Sequence, residues 1–448
     1  MFDSQIYTYS LLSQILVARN KPNEALEISE AGRARAITKL LTNQFTSPDG
    51  LEYVNTSDTT LTIDEIRLLA QERNITLVEY ALIPEESFKQ QGKQRGRTAE
   101  IHIWVVQPNG EIHFRQVDLG DEELAVLVTQ NREAIGVRNR GGFELAVNEV
   151  STEAQLQTLH QLLIAPIADV LPQDAPDQRV IFIPHEQLFL VPFPALMDGN
   201  GDYLIEKHTI LTAPSIQVLD LTQKQRLALD HSKNLNADEL MLVGNPTMPE
   251  VWNPTVSDFQ QLTNLPGAEQ EVLEIADFFD SQPLLNAAAT EQRIKQQIET
   301  ARVIHFATHG LLEYGKPKDS GMRDFPGAIA LAPGNGEDGL LTADEIQQLS
   351  LNAELVVLSA CDTGLGQITG DGVIGLSRSL ITAGAPSVIV SLWSVPDAPT
   401  ADLMIEFYRQ WRSGLDKAQA LRQAMLATME THPEPRDWAA FTLIGESK

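Results

Sequence analysis

Residues 354–366 read Glu-Leu-Val-Val-Leu-Ser-Ala-Cys-Asp-Thr-Gly-Leu-Gly, an apolar run that breaks into a glycine-rich turn. This turn carries Cys361, the single cysteine of the chain. Residues 302–310 repeat the pattern, with an apolar run that ends in His309 and Gly310. Short apolar runs bounded by turn residues predict buried strands of a parallel sheet. Reacting groups collect at the carboxyl ends of such strands, so both stretches predict an α/β fold with a site at the strand ends.

Strands alternate with helices on both sides of these two stretches. The predicted strands are 75–82, 101–106, 112–117, 179–183, 241–244, 328–331 and 387–393. The predicted helices are 121–135, 151–171, 267–279, 293–298 and 376–383. This alternation indicates βαβ crossovers and mainly parallel sheets. The predicted fold class is therefore α/β, as two α/β halves behind a short helical leader.

The N-terminal part of the chain reads as helical. Residues 6–42 predict two helices around a turn at Pro22, and they resemble one tetratricopeptide unit. One such unit cannot bury its own apolar face, so it either docks on the following domain or belongs to something longer. The predicted organisation is a helical leader, a polar linker and two α/β halves, at 1–45, 46–64, 65–237 and 238–448.

The composition is that of an ordinary globular chain of 448 residues, with 43% hydrophobic and 21% charged residues. The formal net charge of −28 disfavours binding to nucleic acid and to anionic lipid. One cysteine excludes an internal disulfide and a cysteine-based metal cluster, which favours a reducing compartment. The N-terminus lacks a basic signal-peptide region, and no apolar stretch approaches the ~20 residues of a membrane span. We expect a soluble cytoplasmic protein without membrane or nucleic-acid contacts.

Cys361 and His309 are the candidate catalytic pair. A lone cysteine is commonly a small buried hydrophobe, but the turn formed by Asp362 and the following residues favours an exposed thiol. Acyl transfer by cysteine needs a thiolate, a proton shuttle and oxyanion donors. Cys361 supplies the thiolate, and the His309 imidazole supplies the shuttle, a role that histidine commonly has. The backbone N–H groups of Gly310 and Cys361 are the predicted oxyanion donors.

Other motifs carry weaker signals. His305 and His309 stand ~13 Å apart if both lie on one strand, which favours a hydrogen-bonded core histidine over a metal ligand at His305. The acidic turn at 198–202 lacks the spaced glutamate of a calcium loop. Residues 370–375 match the Gly-x-Gly-x-x-Gly pattern, but no strand directly precedes them. We interpret them as a turn into the next helix, and we expect no cofactor and no metal.

Together these motifs are similar to the CHAT family of caspase-like cysteine peptidases, which are relatives of separase. The matching runs are 305–310, 358–364, 370–372 with Leu376, 383–385, 391–397 and 438–441. The resemblance covers about 65–446, and it implies a silent caspase-like half near 65–235 and an active half near 238–446. It also implies the dyad of Cys361 and His309. Residues 31–36 are similar to the segment that often joins tetratricopeptide repeats to this domain.

Substrate preference follows from the same resemblance. In separase-like relatives an acid shortly after the Leu-Trp strand recognises an arginine at P1, and Asp397 matches that position. Asp397 is therefore either the partner of a substrate cation or the N-cap of the helix that follows it. Trp393 either walls the pocket or belongs to the core, and Asp362 either lines the pocket or forms the turn. Ser359 stands where metacaspases place an aspartate, so their arrangement does not carry over.

Two function hypotheses from different classes follow. The leading one is a cysteine endopeptidase that cleaves a protein partner after Arg or Lys, with the helical leader as part of a sensor or regulator. The alternative is a catalytically latent or inert scaffold for protein assembly, although a retired site has no physical reason to keep both His309 and Cys361. Residues 311–325 are interpreted as a surface loop, with a self-cleavage segment as the alternative. A nucleotide-binding enzyme would rest only on the glycine pattern.

Overall fold

The computed structural model describes most of the chain. The described residues are 3–33, 37–41, 60–84, 97–136, 151–173, 175–229, 235–253, 257–311, 327–359, 367–369 and 372–448. Cys361, Asp362, Gly370 and most of the predicted linker lie outside them, as do residues 312–326 of the predicted surface loop.

The helices and strands are numbered in chain order. The α-helices are α1 Asp3–Ala18, α2 Pro22–Gly32, α3 Ile63–Arg73, α4 Leu124–Ala134, α5 Thr152–Leu163, α6 Leu204–Lys207, α7 Ile216–Ala228, α8 Pro266–Phe279, α9 Glu291–Gln297, α10 Ala343–Gln347, α11 Leu376–Ala383, α12 Asp397–Arg412, α13 Lys417–Thr431 and α14 Pro435–Trp438. The strands are β1 Ile75–Pro84, β2 Thr98–Val106, β3 Ile112–Asp118, β4 Arg179–Ile183, β5 Thr209–Thr212, β6 Leu240–Pro246, β7 Glu250–Asn253, β8 Asp258–Gln261, β9 Leu284–Asn286, β10 Val303–Ala307, β11 Gly310–Leu311, β12 Ala328–Ala330, β13 Leu340–Thr342, β14 Leu355–Ser359, β15 Gln367–Thr369, β16 Gly372–Ile374, β17 Ser387–Ser391 and β18 Phe441–Gly445.

The chain divides into two compact units. The first comprises 1–221 with 368–372, and the second comprises 222–367 with 373–448. Each unit contains parallel strand pairs flanked by helices. The predicted α/β class with mainly parallel sheets is therefore confirmed. The predicted boundary between the halves at residue 237 stays a prediction.

The first unit is built on strands in the order β3-β2-β1-β4-β5. β1 pairs in parallel with β4 and antiparallel with β2. Leu77 and Val78 are consecutive and both fully buried, so both faces of β1 are covered, as expected for a parallel sheet between helices. The predicted hairpin between β2 and β3 is confirmed, with Gly110 at φ +84° in its turn.

The helical leader docks on the first unit. Ala25 and Leu26 of α2 are fully buried, and the Trp104 indole of β2 donates to the Pro22 carbonyl at 2.8 Å. The buried Arg33 guanidinium pairs with Glu79 of β1 at 3.0 Å. Of the two alternatives for the leader, docking on the following domain is therefore observed.

The second unit has strands in the order β18-β17-β14-β10-β6-β9. β10 lies between β6 and β14 and pairs with both in parallel. All residues of β10 and β14 are buried, and Ala307 pairs with Ser359 at their carboxyl ends. The two strands therefore end at the same edge of the sheet.

Helix α8 packs closely on β6 because Gly244 has no side chain. A Cβ at Gly244 would lie 2.8 Å from the Ala268 carbonyl oxygen and 2.3 Å from a Val272 methyl carbon. This close approach places the first turns of α8 beside the carboxyl ends of β6 and β10. Among the described residues, no helix is both long enough and apolar enough to cross a bilayer.

Candidate functional site

A pocket of about 200 Å³ lies at the carboxyl ends of β10, β14 and β17 in the second unit. It is lined by side chains from the strand ends and from α8 and α12: Leu265, Ala268, Glu271, Thr308, His309, Ser359, Ser391, Ser394, Val395, Asp397, Thr400 and Phe441. Two carboxylates, one imidazole and several hydroxyl groups converge there. The pocket therefore occupies the position at which parallel α/β sheets gather their chemistry.

His309 follows β10 by two residues and is half-buried at the pocket. Its Nε2 lies 2.7 Å from the carbonyl oxygen of Thr263, in the segment before α8. A carbonyl oxygen only accepts hydrogen bonds, so Nε2 carries the hydrogen in this arrangement. The neutral imidazole then keeps its lone pair on Nδ1, and Nδ1 is the nitrogen that can take up a proton.

Cys361 and Asp362 lie outside the described residues, so the dyad and the pocket role of Asp362 stay predictions. Ser359 is the last described residue before them and lines the pocket. In the sequence Cys361 follows Ser359 by two residues, just as His309 follows Ala307. Ala307 and Ser359 are partners in the parallel pairing of β10 and β14.

Gly310 and Trp393 have different surroundings. Gly310 begins β11, is buried, and pairs with Ile329 of β12. Its predicted part in an oxyanion hole stays a prediction. Trp393 is fully buried, and its Nε1 donates to the Arg436 carbonyl at 2.9 Å. Of its two interpretations, the structure places Trp393 in the core, outside the described side chains that line the pocket.

Asp397 lines the pocket and caps a helix other than its own. It is the first residue of α12, and its carboxylate accepts the backbone N–H groups of Gly267 at 2.5 Å and Ala268 at 3.1 Å. These amides belong to the first turn of α8, whose dipole favours a negative charge at this end. Asp397 is therefore a helix cap, as one alternative expected, but it caps α8 instead of its own helix α12. Its half-buried carboxylate also lines the pocket.

A buried polar network lies behind the pocket. His305 of β10 is 0% exposed; its Nε2 lies 2.7 Å from Glu271 Oε1 and its Nδ1 lies 3.2 Å from the Tyr408 hydroxyl. The prediction of a hydrogen-bonded core histidine is confirmed. Burial raises the pKa of Glu271 above its ordinary value, although the interaction with His305 opposes this shift. Burial and the charge of Glu271 raise the pKa of Tyr408 well above its ordinary value.

Sequence reasoning missed Glu271, Thr263 and Tyr408. Glu271 lies on the buried side of α8, one turn after the Asp397-capped residues, and a buried glutamate in an apolar helix face was the available signal. Thr263 acts through its backbone carbonyl, which leaves no mark in residue type. Tyr408 resembles any core aromatic until its hydroxyl is seen beside His305.

The remaining motifs have structural surroundings. In the acidic turn, Asp198 accepts backbone N–H groups of Asn200 and Asp202, and Lys207 pairs with its carboxylate. The Lys207 ammonium thus supplies a cation to this turn. Helix α11 begins at Leu376, as expected. The prediction that no strand directly precedes the glycine pattern is wrong, because β15 ends at Thr369 and residues 372–374 of the pattern form β16 rather than a turn. Gly370 lies outside the described residues.

Comparison with known proteins gives relatives of two kinds. Tetratricopeptide repeat protein 28 from Homo sapiens is 24% identical over 99% of this chain, and its Mus musculus counterpart is 23% identical over 99%. The chain spans only 22% of the length of each relative. Among solved structures, the Saccharomyces cerevisiae separase–securin complex at 2.6 Å matches with a TM-score of 0.54 and 11% identity. That match covers 96% of this chain and 34% of the other, and it shows a shared fold.

A sequence profile of the CHAT domain matches residues 153–446, which is well over half of the chain. The matched region contains β10, β14 and every described residue that lines the pocket. The sequence resemblance and the fold agree with this match. The chain belongs to the CHAT domain family.

Proposed function

We propose that this protein is a cysteine endopeptidase in which Cys361 is the nucleophile and His309 is the general acid and base. The proposed catalytic half is 238–448 and the proposed silent half is 65–237. The substrate is a protein partner cleaved after Arg or Lys. A thiolate nucleophile is kept active in a reducing compartment, so the cytoplasm is the proposed location.

The pairing of β10 with β14 carries this proposal. Ala307 and Ser359 are paired, and neighbouring strands of a sheet lie ~4.8 Å apart. His309 and Cys361 each come two residues after these partners, so chain connectivity supports their meeting at one edge of the sheet. His309 lines a pocket at that edge. A buried structural cysteine would have no need of such a neighbour.

The hydrogen bond of His309 supports its proposed role. Because Nε2 donates to the Thr263 carbonyl, Nδ1 is the proposed base for the Cys361 thiol. The resulting imidazolium then protonates the leaving amine as the acyl-enzyme forms. The Thr263 carbonyl dipole stabilises this imidazolium. Backbone N–H groups of Gly310 and Cys361 are the proposed donors to the oxyanion.

Two carboxylates support a cationic P1 residue. Asp397 and Glu271 both line the pocket, and among the described side chains that line it no Lys or Arg neutralises them. The pocket volume of about 200 Å³ accommodates a single long side chain. The docked helical leader is the proposed contact point for a regulator, in keeping with the repeat-containing relatives.

Fluorogenic peptides that differ only at P1 test the proposal. Cleavage of reporters with Arg or Lys, but not Leu, Met or Asp, is expected. Cys361→Ala should abolish it, and His309→Ala should lower kcat/KM by about 10²–10⁴-fold. His432→Ala, which changes another partly exposed histidine, is the matched control. If the reporters stay uncut while a thiol-reactive probe still labels Cys361, the enzyme is latent; if neither occurs, the scaffold alternative replaces the peptidase.

A further inference from the structure

The buried pair of Glu271 and His305 sits at the inner end of the pocket. Glu271 is 1% exposed and lines the pocket, and His305 is 0% exposed behind it. Their atoms Oε1 and Nε2 are 2.7 Å apart, a charge-assisted hydrogen-bond distance. A carboxylate this deeply buried is costly without a compensating positive charge. The pair therefore has a physical reason to hold one proton between its two members.

Among the described residues that bond to this pair or line the pocket, no Lys or Arg supplies a positive charge. Helix α12 contributes the Tyr408 hydroxyl and the Asp397 carboxylate, and β14 contributes Ser359. Strand β6, which also packs on α8, carries no titratable side chain. Among the described residues that line the pocket, the remaining titratable group is His309. The nearby Asp397 raises the pKa of Glu271 further, beyond the effect of burial.

Asp397 is already partly compensated. Its two oxygens accept the N–H groups of Gly267 and Ala268 at the positive end of α8. Glu271 instead has the neighbouring histidine, whose charge depends on a proton. Of the two carboxylates, Glu271 is thus the one that can gain an uncompensated negative charge toward a ligand, because the proton that it shares with His305 can leave.

We propose that Glu271 is a second specificity carboxylate of the pocket, and that binding of a cationic side chain expels the proton held between Glu271 and His305. This proposal rests on the proposed function for the identity of the pocket. The charges balance. Before binding, the Glu271–His305 pair is neutral and lies near the Asp397 carboxylate. When the cation binds, the proton of the pair passes to water, and the pair becomes negative and faces the cation. His305 then remains neutral, with Nε2–H donating to Glu271 and Nδ1 accepting from Tyr408.

Proton release makes the affinity pH-dependent. While the pair is protonated in the free protein, affinity for the cation rises by up to about tenfold per pH unit. A neutral side chain of equal shape gains nothing from the released proton. Recognition of arginine over a neutral analogue should therefore sharpen as the pH rises.

Calorimetric binding to the 448-residue chain that carries Cys361→Ala tests the proposal. The ligands are an acetylated peptide that ends in arginine amide and the same peptide with citrulline, a neutral isostere. Titrations at about pH 6, 7 and 8, in buffers of different ionisation enthalpy, report the protons released. We expect a release approaching one proton for the arginine peptide at low pH and none for citrulline.

Glu271→Gln should abolish both the release and the pH dependence, and it should reduce the arginine preference by about tenfold. Asp277→Asn removes the same charge from an exposed position of α8 and should change neither. Proton release that persists in Glu271→Gln would assign it to another group, such as His309, and overturn the proposal. Two results with the Cys361→Ala protein alone would also overturn the proposal: equal proton release with the arginine and citrulline peptides, or no binding of the arginine peptide. These two results do not require that Glu271→Gln folds.

The two proposals fail separately. Proton-linked binding of the arginine peptide, together with a native protein that cuts no reporter, would remove the peptidase and keep the pocket. Cleavage after arginine without proton release would keep the peptidase and remove the second carboxylate.

Discussion

Burial changes the pKa of single side chains, and Lys417 in α13 is an example. It is 2% exposed, and its Nζ donates to the Ser387 hydroxyl at 2.8 Å and to the carbonyls of Glu354 at 3.2 Å and Lys448 at 2.8 Å. Burial lowers the pKa of Lys417 to about 8. These three acceptors connect α13 to the start of β17, to the residue before β14 and to Lys448.

This lysine predicts a rise in stability at alkaline pH. Above about pH 8 the folded lysine loses its proton while the unfolded one keeps it to about 10.5, so the unfolded state binds more protons and stability increases with pH. We expect a contribution of about 1–2 kcal/mol between about pH 8 and 9.5. Urea unfolding should show this rise in the native protein and in Lys21→Met, an exposed control, but not in Lys417→Met.

Asp397 predicts a stability effect separable from catalysis. Because it caps α8 through two N–H groups, Asp397→Ala should lower the free energy of unfolding by about 1–2 kcal/mol and weaken cleavage after arginine. Asp402→Ala, on an exposed face of the same helix, should cost under about 0.5 kcal/mol. Denaturation and kinetics of both variants check this. Equal stability loss in the two variants would contradict the capping role.

Between elements, Lys295 joins α9 to its neighbours. Its ammonium lies 2.6 Å from Glu291, 2.7 Å from Glu345 of α10 and 3.4 Å from Glu337. The buried Glu291 carboxylate also accepts the N–H groups of Gly339 and Leu340 at the start of β13. One helix turn therefore anchors the β12–β13 connection, and the ammonium occupies the space between three carboxylates.

Removing this ammonium should loosen the connection. Lys295→Met leaves Glu291 buried without its cation, so we expect a loss of about 2–4 kcal/mol in unfolding free energy. Arg293→Met removes an exposed cation from the same helix and should cost under about 0.5 kcal/mol. Chemical denaturation compares them. A Lys295→Met protein as stable as the native one would show that the carboxylates tolerate each other.

On the scale of the molecule, the leader is held to the first unit by buried charges. Glu30 of α2 accepts the N–H groups of Ile216 and Gln217 at the start of α7, and the Arg33 guanidinium donates to the carbonyls of Pro184 and Tyr80. Burial, and next the proximity of Glu79, raise the pKa of Glu30 well above its ordinary value. The leader is thus integral to the unit on which it docks.

Arg33→Met should release the leader without unfolding the second unit. The substitution leaves the Glu79 carboxylate and two backbone carbonyl groups without their guanidinium partner. We expect the free energy of unfolding to fall by about 3–5 kcal/mol. Hydrogen exchange of α2 should accelerate, while β10 and β14 stay protected. Arg67→Met, which removes a partly exposed arginine, should leave the exchange of α2 unchanged. Protection of α2 that survives Arg33→Met would mean that apolar packing alone holds the leader.

Local patterns in the chain predicted the buried strands and the place of the site. Runs such as 303–307 and 355–359 are apolar because both faces of a parallel sheet are covered. This constraint can be recognised from the residue types alone. The docking of the leader was left open, because its decisive contacts join residues as far apart as Arg33 and Pro184. The same holds for the Lys295 cluster, whose carboxylates come from three separate segments.

The sequence by itself determined the α/β class, the family motifs and the identity of His309 and Cys361 as candidates, because each depends on residue type at short spacing. Only the tertiary structure decided that Asp397 caps α8, that Thr263 orients His309 and that Glu271 meets His305. These contacts join residues 34 to 130 positions apart. Their energies depend on burial and distance, which arise when the strands and helices pack together.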